Sequence, residues 1–233
     1  MIRALAIKEL REIGWIVAIA LAVYMIAVAA VASTAVESGL QRIPGLDWLV
    51  YQILQLDSYR SLPFVSGDLN GPFILTSLAL ALVLGFRQSV GEAQADTFGF
   101  LLHRPLGRRT ILLMKLALAV GLLWLVSAIP ILVLAWWAAT PGSHPSPFEW
   151  SMTYPIWKTW AAMPVVYLGA FLSGLRPARW WGTRLVPLAA IAMPALAASL
   201  IPMWWFFSVP LAALAAVLLI VSILWVGETR DYS

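Results

Sequence analysis

LVPLAAIAMPALAASLIPMWWFFSVPLAALAAVLLIVSILWV, residues 185–226, runs for 42 residues without a charged side chain. A spanning helix needs roughly 20 mostly apolar residues, because the hydrocarbon layer is about 30 Å thick and a helix rises 1.5 Å per residue. The run is therefore too long for one span and right for two, with 202–208 (PMWWFFS) as the turn between them. Working outward, other uncharged runs place spans at about 14–33, 72–90, 113–139 and 159–175, ahead of the pair at 185–202 and 208–226. The expectation is an all-α polytopic membrane protein, a single transmembrane domain over 1–233 with six transmembrane helices. Composition agrees: 62% of residues are apolar and 11% charged, against roughly 45–50% and 25% in soluble domains. The first apolar run is longer than the roughly 7–15 residues of a signal peptide core, and Glu9 and Glu12 stand where a basic region belongs, so it reads as a retained anchor.

Lysine and arginine accumulate on the cytoplasmic side of membrane proteins. With the N-terminus inside, the inner segments hold 12 of the basic residues and the outer ones 3, namely Arg42, Arg60 and Lys158. Six spans then put both termini in the cytoplasm. The expected location is a bacterial cytoplasmic (inner) membrane. The net charge of +4 is thereby a topology signal and an attraction to the lipid bilayer, not a nucleic-acid footprint. Most of the 13 tryptophans fall near span ends, where indole rings favour the headgroup level, and Trp124 alone sits well inside a span.

Two segments outside the hydrocarbon have a pattern. Residues 1–13 (MIRALAIKELREI) predict an N-terminal interfacial helix, with Ile2, Leu5, Ala6, Leu10 and Ile13 on one face and Glu9 as an exception within the apolar arc. In the outer loop, 36–71, residues 46–57 place Asp47, Gln52 and Gln55 on one narrow face of a helix suited to the outer leaflet.

The most informative segment is 91–116, GEAQADTFGFLLHRPLGRRTILLMKL, between the second and third spans. Asp96 or Thr97 can cap a short helix from Phe98 to His103, which must stop before Pro105. Its apolar face (Phe98, Leu101, Leu102), presented to the cytoplasm, wants a protein partner. This segment resembles the permease subunits of type-two ATP-binding-cassette (ABC) exporters. Those permeases carry a Glu, a Gly-Thr pair, paired leucines, Pro-x-Ser-Arg, and a Lys opening the third of six spans. The matching residues here are Glu92, Thr97, Leu101, Leu102, Pro105, Arg108 and Lys115, with Asp96 in place of the Gly and Gly107 in place of the Ser. The resemblance implies that 98–103 is a short cytoplasmic coupling helix seated in a separate ABC ATPase subunit, and that the chain works as a homodimer or as a heterodimer with another permease. Taken singly, Glu92, Arg108 and Lys115 also read as interfacial charges that fix topology.

Other chemistries are set aside on sequence. No phosphate-binding G-x-x-x-x-G-K-[ST] occurs, so no ATPase activity, cofactor or other enzymatic reaction is expected of this chain. There are no cysteines, and the topology puts His103 and His144 on opposite faces of the membrane, so no metal site is expected. Ser173 reads as part of a small-residue face with Gly169, Ala170 and Gly174. No Asp, Glu or His is expected within the bilayer, which argues against an ion-coupled carrier and leaves Tyr24, Thr76, Ser77, Ser127 and Tyr167 to line a path. Pro130, Pro164 and Pro194 are candidate hinges, or static kinks supported by neighbouring helices. The alternative to a permease is a non-transporting membrane anchor or scaffold subunit.

Overall fold

The computed structural model describes residues 2–32, 64, 69–94, 107–140, 148–176, 181–200 and 205–229. These form helices α1 (Ile2–Ala32), α2 (Asn70–Gln94), α3 (Arg108–Ala139), α4 (Tyr154–Leu175), α5 (Trp181–Arg184), α6 (Met193–Leu200) and α7 (Trp205–Thr229). A 3-10 turn, Trp150–Thr153, leads into α4, and a π-helical stretch, Leu188–Ala192, precedes α6. No strand occurs among the described residues.

Four helices are long and apolar enough to cross a bilayer: Arg3–Ala32, Asn70–Gly91, Arg108–Ala139 and Phe206–Thr229. They are consistent with a multi-pass membrane protein. α4 is 22 residues long, opens with Tyr154, Lys158 and Thr159, and is enclosed by its neighbours: every residue from Ala162 to Leu175 is buried. It packs against α2, α3, α6 and α7, while α1 lies on α2 and α3. The outward faces of α1 (Trp15, Ile19, Val23, Ile26) and α7 (Leu211, Leu214, Leu218, Val221) are exposed and apolar, the opposite of what water would favour.

Residues 1–13 are helical but not an element of their own: α1 is continuous from Ile2 to Ala32, straight through Gly14. Its 31 residues rise about 46 Å at 1.5 Å each, well beyond a hydrocarbon layer of about 30 Å. The first turns are held along the bundle because Leu5 packs with Ile111 and Met114 of α3. The buried stripe is Leu5, Glu9, Ile13, Ile16, Ala20 and Tyr24, whereas Leu10, assigned to the apolar face from sequence, is exposed.

The expected span at 185–202 is interrupted around Pro194, dividing into a π-helical stretch and α6. Pro194 lacks an N–H and its ring crowds the carbonyl four residues back. The chain responds just before it by widening to i→i+5 bonding, seen in the Met193 N–H donating to the Leu188 carbonyl. The expected turn at 202–208 also shrinks, since α7 begins at Trp205.

What brings α2 and α4 together is a seam of small residues. Gly85 and Ser89, one turn apart on α2, face Ala170 and Gly174, one turn apart on α4. A Cβ added at Gly85 would lie 2.6 Å from the Ala170 Cβ and 2.8 Å from the Tyr167 carbonyl oxygen. One added at Gly174 would lie 2.8 Å from the Ser89 Cβ. The Ser89 hydroxyl donates to the Gly85 carbonyl at 2.6 Å, so it is satisfied within its own helix. Gly169 turns the other way, where an added Cβ would sit 2.7 Å from Ala192 in the π-helical stretch. In lipid, where apolar burial drives helices together only weakly, such close backbone approach is a main source of attraction.

Candidate functional site

The α-helical period puts Glu9 four residues after Leu5 and four before Ile13, on the face that α1 turns to the bundle. Glu9 is 2% exposed, and the side chain it meets, Lys115 of α3, is fully buried. The ammonium of Lys115 lies 3.1 Å from Oε1 of Glu9. Gln88 of α2 donates from Nε2 to Oε2 of Glu9 at 3.2 Å. Tyr167 of α4 donates its hydroxyl to Oε1 of Gln88 at 2.6 Å. The carboxylate takes only donors and the phenol needs an acceptor, and these two demands fix which way the Gln88 amide points. Four side chains from four helices thus form one polar chain, Lys115–Glu9–Gln88–Tyr167, inside an apolar shell that includes Ile13, Leu84, Leu112, Leu116 and Phe171.

Taking either charge into this interior alone would be severely unfavourable; together they neutralise each other at a cost that the hydrogen bonds only partly offset. The arrangement is better suited to specifying how α1, α2, α3 and α4 sit than to adding stability. The expectation that no acidic residue lies within the bilayer did not foresee a carboxylate buried inside the protein, and the contact gives Lys115 a partner beyond its part as a topology charge. A sequence signal existed: Glu9 is the one residue that interrupts the apolar arc of 1–13.

A second polar junction lies close by. Arg109, near the start of α3, forks onto the carboxylate of Glu228 near the end of α7, with Nη2 2.9 Å from Oε2 and Nε on Oε1. Arg108 donates from Nη1 to the Glu228 backbone carbonyl at 3.4 Å. Gly227 makes room, since a Cβ there would run into Cδ1 of Leu112. This pair is exposed and salt-screened, so it steers position more than it stabilises.

The two junctions bracket the segment singled out from sequence. Glu92 falls in the last turn of α2, beyond the expected end of that span, and its side chain lies outside the described residues. Asp96, Thr97, Phe98, Leu101, Leu102 and Pro105 lie outside the described residues, as do both histidines and the 46–57 segment. Arg108 is the first residue of α3. Pro130 and Pro164 are buried within the continuous helices α3 and α4, and Pro194 is the second residue of α6. Pro210, inside α7, was not singled out from sequence.

Of the five side chains expected to line a path, Thr76 is half-buried and the other four lie in the core. The hydroxyls of Tyr24 and Ser77 share a 2.5 Å hydrogen bond between α1 and α2, and the Ser127 hydroxyl donates to the Leu123 carbonyl at 2.5 Å. Tyr24, Ser77, Ser127 and Tyr167 are all buried. Trp124 is accounted for as well: its ring stacks on Trp160 at 5.4 Å, and its carbonyl accepts the Trp160 indole N–H at 2.9 Å. Among the described residues, no three of His, Cys, Asp or Glu come together as metal ligands. Comparison with protein-family models, with curated proteins and with solved structures returns no match.

Proposed function

We propose that this chain is the membrane-spanning permease subunit of an ABC exporter, moving its substrate on ATP hydrolysis by a separate ATPase subunit. In this reading six segments cross a bacterial inner membrane: the four long apolar helices, the enclosed α4, and the broken stretch through the π-helix and α6. Both termini then face the cytoplasm. The observation that carries the reading is the tethering of the 95–107 segment. On its N-terminal side Gln88 ties α2 to Glu9 and Tyr167, and on its C-terminal side Lys115 and Arg109 tie α3 to Glu9 and Glu228. A push on that segment would reach α1, α4 and α7 through polar contacts with defined partners, as rigid-body transmission requires.

The reading is tested on the segment itself. The first question is whether an ATPase with nucleotide-binding motifs is encoded next to this chain; co-expressed with such an ATPase, the wild-type chain is expected to co-purify with it. Leu101→Asp with Leu102→Asp is expected to abolish that association while insertion and folding remain. An ATPase that still co-purifies at wild-type yield would dismiss 98–103 as the docking element. A chain with no ATPase partner at all would favour the scaffold alternative.

A further inference from the structure

The charged residues of α1 all fall within 2–12. That stretch rises about 16 Å, the whole of the helix's excess over a hydrocarbon layer of about 30 Å. The hydrocarbon therefore begins close to Gly14 and Trp15. Across this boundary runs one ridge at a spacing of four residues: Arg3, Ile7, Arg11, Trp15, Ile19 and Val23. All six side chains are exposed, on the face turned away from the bundle. Positions four apart on a helix are neighbours, about 5–6 Å between Cβ atoms, so the ridge is continuous. Both carboxylates of α1 are engaged by lysines, Glu9 by the buried Lys115 at 3.1 Å and Glu12 by Lys8 at 3.3 Å. The ridge itself carries only positive charge.

Toward the middle of the bilayer the ridge passes from guanidinium to indole to aliphatic side chains. A leaflet passes in the same order from phosphate to glycerol ester to acyl chain. Arginine presents a fork of donors that matches phosphate geometry, and the Trp15 indole stands one turn deeper. A zwitterionic head brings its own cation to the phosphate and gains less from the guanidinium than an anionic head does. The outer face of α7 supplies the contrast. Leu214, Leu218, Val221 and Trp225 are exposed there, with the aromatic ring at the same end of the bundle. Yet α7 contains no lysine or arginine, and the nearby Arg109 is paired with Glu228. We infer that the outer ridge of α1 is a site for an anionic phospholipid, with its phosphate on Arg11 and Trp15 and its acyl chains along Ile19 and Val23. The site requires α1 to lie in a bilayer and stands whether or not the chain transports anything.

The purified full chain is placed in phosphatidylcholine nanodiscs at physiological salt, with a trace of phospholipid carrying a photoactivatable diazirine in its acyl chain. Labelled peptides are read by mass spectrometry. With a phosphatidylglycerol probe, labelling of 15–26 on α1 is expected to exceed that of 214–225 on α7 roughly five-fold, the effect of about one basic residue at a lipid surface. With a phosphatidylcholine probe the two faces are expected to label alike. Arg11→Gln is expected to remove the excess, and Arg11→Lys to keep most of it. Arg3→Gln deletes the same charge about 12 Å along the helix, beyond a screening length of about 8 Å, and is expected to leave the excess in place. Equal labelling of the two faces by phosphatidylglycerol, or an excess that survives Arg11→Gln, would overturn the site. So would an equal loss in Arg3→Gln, which is the mark of diffuse attraction. Ile19→Cys, the one thiol in a chain without cysteines, tests a second copy as the occupant. It is expected to stay monomeric on oxidation; full conversion to a disulfide-linked dimer would give this face to a protein contact and overturn the lipid site.

Discussion

At the scale of residues, the Glu9–Lys115 pair decides more than its size suggests. Removing one partner leaves the other charge in an apolar shell, at a cost of about 3–5 kcal/mol. Removing both with side chains of similar volume leaves nothing to desolvate. Glu9→Gln and Lys115→Met are therefore each expected to lower the thermal midpoint in detergent by on the order of 10 °C. The double variant Glu9→Met with Lys115→Met is expected to recover most of the loss. Additive losses in the double variant would mean that the two groups do not share one buried contact. At the far end of the same polar chain, Tyr167→Phe leaves the buried Oε1 of Gln88 without its donor, at about 1–3 kcal/mol. A melting curve indistinguishable from wild type would remove Tyr167 from the network. The sequence showed Glu9 only as a flaw in an amphipathic pattern. Nothing in 1–13 could say that the flaw had a partner more than a hundred residues away, because ion pairing across helices leaves no periodic trace.

Elements were more legible than their contacts. Apolar length located α1, α2, α3 and α7, since the width of a bilayer sets a threshold that composition either meets or does not. It failed where geometry departs from a straight helix: Pro187 and Pro194 bracket the π-helical stretch, and a hydropathy count does not register a change of hydrogen-bond period. The small-residue face on α4 was visible in Gly169, Ala170 and Gly174, but its counterpart on α2 was not recognised, because Gly85 and Ser89 sit inside an unremarkable apolar run. Their opposition gives a prediction for the pair of helices. Gly85→Leu must push α2 off α4, an overpacking cost of roughly 1–3 kcal/mol, and is expected to lower the midpoint by several degrees. Gly121→Leu on α3, where an added Cβ meets nothing within 4 Å, is expected to leave it unchanged or raise it slightly. Equal effects at the two glycines would mean that the seam is not what holds α2 to α4.

For the whole molecule, the distribution of basic residues remains the strongest statement about orientation. The charged ends of α1, α3 and α7 meet at one end of the bundle, where Arg108, Arg109 and Glu228 lie together, and the tryptophans of α4 gather at the other. A reporter fused after Ser233 is expected to be active only in its cytoplasmic form; an external signal there would reverse the map and place the 95–107 segment out of reach of any ATPase. The arrangement of α4 carries a consequence for how the chain is made. Its opening Tyr154, Lys158 and Thr159 make it a poor candidate to settle in lipid unaided, and the finished bundle leaves it almost no lipid to touch. Two of its walls, α2 and α3, leave the ribosome before it, and α7 follows only later. Biogenesis must therefore keep this middle helix in the company of its earlier neighbours, or within the insertion machinery, until the last wall arrives to close around it.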